Sequence, residues 1–130
     1  MFSINYAALF VCVILAFLIS IVWYMLLAKQ RAKLSSATRN MKRPSLGKML
    51  IEIVRTFVLA LVIAFFIDRL EITSFLHALN LGILLWIGFP LILLSGSVLW
   101  ENVSWKLAAI HAGDWLIKIL LITIILSVWR

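Results

Sequence analysis

Residues 81–118 read LGILLWIGFPLILLSGSVLWENVSWKLAAIHAGDWLIK. Two long apolar runs meet here at a turn of a few polar residues, and the second run carries His111, Asp114 and Lys118. On a helix turning by about 100° per residue these three fall within roughly 60° of one another, a polar stripe along an apolar rod. Charge inside an apolar span is expensive, so the stripe must face protein or water rather than lipid.

Working outward, the whole chain has the composition of that stretch. Hydrophobic residues make up 65% and charged residues 13%, with a mean hydropathy of +1.17. A soluble domain carries about 45–50% apolar and roughly 25% charged residues, so this chain belongs in a bilayer. A membrane-spanning helix needs about 20 mostly apolar residues. Four windows satisfy this, at about 4–28, 49–67, 76–99 and 105–129, and they predict an all-α integral membrane bundle of four spans forming one domain over residues 1–130. The first run lacks a basic leading segment and a small-residue cleavage pattern, so it reads as a retained span.

Ala8, Cys12, Ala16 and Ser20 recur every fourth residue in span one, and Thr56, Ala60 and Ala64 do so in span two. Ala108 with Ala112, and Ala109 with Gly113, repeat the spacing in span four. Such ridges let helix backbones approach closely and also suit homo-oligomer formation. In span three, Gly88 and Pro90 predict a kink, because proline lacks the amide donor and clashes with the preceding turn. The alternative there is an opened backbone lining a cavity.

Residues 29–48 hold seven basic side chains (Lys29, Arg31, Lys33, Arg39, Lys42, Arg43, Lys48) and no acid. Lodged between two spans, this loop marks the cytoplasmic side rather than a nucleic-acid patch. Anionic lipid headgroups are its expected partners, each basic residue contributing about 1 kcal/mol near the surface. Lys106 adds an eighth positive charge on that side, against Arg69 and Arg130 on the other. Both termini are therefore predicted to face outward.

Asp114 and Lys118 would each cost about 2.5–3.5 kcal/mol at a helix centre without compensation. Asp before Lys at i, i+4 is the favourable order for a pair within one helix. A buried ion pair that fixes helix register is one reading of the stripe. A proton or ion pathway with His111 at its mouth is a second, and a site for a small polar ligand or lipid headgroup a third. Glu52 and Arg55 lie at a similar depth on span two, so Arg55 is a candidate partner for Asp114.

Cys12 stands alone, which excludes an intrachain disulfide and a cysteine metal cluster. His77 and His111 fall on opposite sides of the membrane and cannot share a metal. No glycine-rich phosphate loop, acidic cluster or serine–histidine pair with usable spacing occurs, so neither a cofactor nor an enzymatic activity is expected.

These residues also carry a resemblance. Trp23-Tyr24 closing span one, Leu85-Trp86-Ile87-Gly88-Phe89 in span three, Trp105-Lys106-Leu107 opening span four and Ile110-His111-Ala112-Gly113 within it resemble the bacterial membrane family known as domain of unknown function 1761. The resemblance implies a compact four-span protein of the bacterial inner membrane with no assigned activity. The leading expectation is a non-enzymatic membrane protein with a structural or interaction role, and the alternative is a small transporter or channel subunit using the polar stripe.

Overall fold

The structure is a computed structural model that describes residues 3–36 and 43–129. Arg39, Lys42 and Arg130 of the charge pattern lie outside these residues. Six α-helices make up the described chain: α1 (Tyr6–Leu26), α2 (Ala28–Leu34), α3 (Leu46–Arg69), α4 (Phe75–Trp86), α5 (Ile92–Glu101) and α6 (Trp105–Val128). A π-helical turn, Ile87–Leu91, joins α4 to α5. Four continuous rods, Tyr6–Leu26, Leu46–Arg69, Phe75–Glu101 and Trp105–Val128, are long and apolar enough to cross a membrane.

Local chemistry sets the ends of these rods. The Asn5 side chain accepts from the Ala8 amide at 3.1 Å, Ser45 from Lys48 at 3.3 Å and Ser74 from His77 at 3.2 Å, each satisfying a first-turn donor. At the end of α3, Glu71 takes a left-handed conformation (φ 52°). Its amide bonds to the Asp68 carbonyl and the Ile72 amide to the Ile67 carbonyl, which closes a Schellman motif over the buried Ile72. Asn102 makes the second left-handed turn (φ 56°), between α5 and α6. Ser104 stands at the start of α6 but its side chain makes no capping bond.

Two boundaries differ from the sequence reading. Helix continues past residue 28, so Lys29, Arg31 and Lys33 ride on α2 rather than on a loop. Ala, Lys, Gln, Arg and Leu all favour helix, and the amide of Arg31 bonds to the Leu27 carbonyl, carrying the ladder across the junction. Span two begins at Leu46, immediately after Pro44 and the Ser45 cap, rather than at 49. The interruption expected at Pro90 takes the form of a π turn within a continuous rod. Adding one residue to the turn gives the proline ring room against the preceding carbonyl. Pro90 is buried there, whereas Gly88 is exposed and a Cβ on it would meet no neighbouring element within 4 Å.

The rods run alternately up and down, and α6 is the central one: α1, α3 and α4 all pack on it. The ridge residues Ala8, Cys12, Ala16 and Ser20 of α1, and Thr56, Ala60 and Ala64 of α3, are all buried inside the bundle. With Leu9, Val13, Ile63, Ile67, Ile119, Ile122 and Leu126 they build a core toward the chain-terminal end. Outward faces carry exposed Phe10, Val58, Leu84, Ile92 and Leu93, an apolar coat far larger than water tolerates and suited to lipid.

Candidate functional site

Nearer the basic end, α6 carries polar side chains into the bundle. Helical side chains lean toward the N-terminus of their helix, so the Lys118 stem runs back over the preceding turn. Its Nζ lies 3.1 Å from Asp114 Oδ2, 3.9 Å from Glu52 Oε1 of α3, and 4.5 Å from the centre of the Trp115 ring. Asp114 is 3% and Lys118 4% exposed, so the pair is closed off from the surroundings.

The other contacts of Asp114 come from α1. Ser20 donates its hydroxyl to Oδ1 at 2.5 Å, and the Tyr24 hydroxyl stands 3.4 Å from Oδ2. That same hydroxyl is 2.7 Å from His111 Nδ1. Tyr24 has one proton, so it donates to His111 when Nδ1 is bare and is free to donate to Asp114 when Nδ1 bears hydrogen. On its far side the Tyr24 ring is covered by the Arg31 guanidinium of α2, 4.4 Å from the ring centre. The result is a continuous chain of contacts, His111–Tyr24–Asp114–Lys118–Glu52, drawn from three spans and covered by α2.

Two tryptophans hold α6 in place around it. Trp23 Nε1 donates to the Ile110 carbonyl at 2.9 Å, and Trp86 Nε1 to the Ala112 carbonyl at 2.8 Å. The Trp23 ring occupies the space a side chain at Gly113 would need: a Cβ there would meet Trp23 Cζ2 at 2.5 Å. Glycine at 113 is thus a condition for the close approach of α1 and α6.

The structure brings His111, Asp114 and Lys118 together and adds Glu52 at the edge. It does not bring Arg55 to Asp114. Arg55 pairs with Glu52 on its own helix at 2.5 Å, its side chain 60% exposed, because its place on α3 is directed away from α6. Gly88 and Pro90 take no part in the network. Sequence reading missed Ser20 and Tyr24, which lie four residues apart on one face of α1. Ser20 passes for one more small ridge residue and Tyr24 for an interfacial aromatic, so only their shared spacing signals a polar pair.

Chemically, the arrangement stores a neutralised charge pair and can shift one proton between Tyr24 and its two neighbours. Segments that carry the family resemblance converge on it: Trp23-Tyr24 touches Ile110–Gly113 across 87 positions and Trp86 touches it across 26. No curated protein and no solved structure matches the chain. A family model described as "Protein of unknown function (DUF1761)" matches residues 7–127. With nearly its whole length covered by that match, the chain belongs to the DUF1761 family.

Proposed function

We propose that this is a non-enzymatic integral protein of the bacterial inner membrane with a structural or interaction role. Its termini lie outside, and its basic segment 29–48 faces the cytoplasm against anionic headgroups. The observation that carries the role is that the polar network ends blind. Beyond Lys118, α6 buries Ile119, Ile122 and Leu126, while the Thr123 and Ser127 hydroxyls donate to the Leu120 and Ile124 carbonyls of their own helix. A proton or ion path has to continue through that half, and polar or ionisable groups facing the bundle interior are what mark such a path. Asp114, already engaged by Lys118, Ser20 and Tyr24, is poorly placed to serve as a catalytic base. Self-association has to use faces other than the small-residue ridges of α1 and α3, which are buried.

The unbroken chain from His111 to Glu52 favours the second reading, a transporter or channel subunit. Proteoliposomes under an imposed pH gradient separate the two. The gradient is expected to decay no faster than in protein-free vesicles. Accelerated decay that Lys118→Met abolishes would overturn the structural reading.

Orientation is tested independently by reporter fusions after residue 40 and at Arg130. The expected result is a cytoplasmic reporter at the first and an external one at the second. Both reporters on one side would rule out four spans.

A further inference from the structure

On the outer side of the α1–α6 contact runs an apolar groove of about 330 Å³, lined by Leu15, Leu18, Ile19, Val22, Leu26 and Ile117 with Trp23 at its floor. From Leu15 to Leu26 it extends about 16 Å at 1.5 Å per residue, close to the roughly 15 Å depth of one leaflet's hydrocarbon. What distinguishes it from ordinary lipid-facing surface is its end. Lys29 follows Val22 by seven residues, and Lys33 follows Leu26 by seven, so each falls on the groove face two turns further on. Leu27 leaves helical geometry (φ −105°, ψ 12°), but its amide and that of Arg31 keep their bonds to the Trp23 and Leu27 carbonyls, and Arg31 stacks on Tyr24 at the same seven-residue spacing on the other side of the rod. From α6, Lys106 precedes Ile117 by eleven residues, within about 20° of its face. All three lysines are exposed, no acid occurs between Leu27 and Ile51, and none of the three forms an ion pair among the described residues.

We propose that the α1–α6 groove binds one anionic phospholipid, its acyl chain along Leu15, Leu18, Val22 and Leu26 and its phosphate among Lys29, Lys33 and Lys106. The occupant follows from charge complementarity: an apolar slot of one leaflet's depth ends in three unpaired-by-acid cations, the pattern an acidic lipid fills. A second copy of the chain would set these lysines against their own equivalents. The proposal deepens the reading that the basic segment meets anionic headgroups, and it depends on the helices crossing a bilayer but not on the direction in which they cross.

The test is native mass spectrometry of the full chain in a non-ionic detergent with equal amounts of dioleoyl phosphatidylglycerol and dioleoyl phosphatidylcholine. One phosphatidylglycerol per chain is expected to be retained, favoured about tenfold over phosphatidylcholine. Lys29→Gln/Lys33→Gln/Lys106→Gln should bring the two lipids within about twofold, whereas Arg43→Gln/Lys48→Gln, which removes charge from α3 and its approach, should keep the preference. Val22→Trp, at a side chain 53% exposed in the groove, should lower retention of phosphatidylglycerol without unfolding the protein. Equal retention of both lipids by the unaltered chain overturns the proposal. So does a preference that survives the triple lysine variant, one lost equally in the Arg43/Lys48 control, or a dimer that Val22→Trp dissolves. Because the measurement is made in micelles, it is blind to orientation and to transport, and its failure is distinguishable from failure of the reading above.

Discussion

Asp114→Asn and Lys118→Met are each expected to destabilise the detergent-solubilised protein by about 3–5 kcal/mol, and the double variant to recover most of that loss. The reason lies in what each single change leaves behind. Without Asp114, the Lys118 ammonium keeps the face of the Trp115 ring and, as its one counter-charge, Glu52 at 3.9 Å, a carboxylate already held by Arg55. Without Lys118, Asp114 keeps two hydroxyl donors, Ser20 and Tyr24, but no opposite charge. Either way a charge remains in a closed apolar setting. The double variant leaves none: methionine fills the lysine stem's volume, and asparagine still accepts from Ser20. Unfolding of all four forms in one detergent gives the coupling energy directly. Simple additivity would show that the two residues do not depend on each other. Each would then need a partner or water of its own, and the transport reading would move ahead of the structural one.

Glycine substitutions should separate into a ranked series. Gly113→Ala is expected to cost about 2–3 kcal/mol, because the new methyl group meets a rigid indole that is itself tied to Ile110. Gly82→Ala brings a Cβ to 2.8 Å from Leu120 Cδ2 and 2.9 Å from Thr123 Oγ1. The leucine tip can rotate aside, but the buried Thr123 hydroxyl, bonded to the Leu120 carbonyl, has to shift by a few tenths of an ångström, so about 1–2 kcal/mol is expected. Gly96, inside α5 with nothing within 4 Å, should gain about 0.5–1 kcal/mol from alanine through backbone entropy alone. Thermal unfolding of the three variants checks the order. Trp23→Leu introduced beside Gly113→Ala should restore part of the loss, since it removes the obstacle. A Gly96→Ala variant less stable than Gly113→Ala would mean that α1 and α6 do not meet as described.

The four rods were legible because runs of about 20 apolar residues between charged breaks leave few alternatives. The stripe was legible too, since the His111, Asp114 and Lys118 spacing is a property of one helix. What surrounds it was not. Ser20 and Tyr24 reach Asp114 across 94 and 90 positions of sequence, and no local spacing records which helix face turns toward which. The same limit misdirected Arg55: depth along α3 placed it level with the network, but rotation about the helix axis sent it outward. At Pro90 the residue type announced an interruption without saying whether the backbone would break or add a residue to one turn. At Lys29 the charge pattern was read as a loop boundary, although charge marks where apolar surface ends and not where helix ends.

The pairing of charges within single helices bears on the order in which the protein is made. Glu52 has its counter-ion in Arg55 one turn away, and Asp114 has Lys118, so each span leaves the ribosome carrying its own neutralising partner. Neither has to wait for another span before partitioning into lipid. The bonds between helices, Ser20 to Asp114 and Lys118 to Glu52, are gained later, when inserted rods meet. Since α1 and α3 also pack directly on each other, they can pair as soon as both are inserted; α6, made after the other three rods and packed against all of them, docks last and closes the bundle.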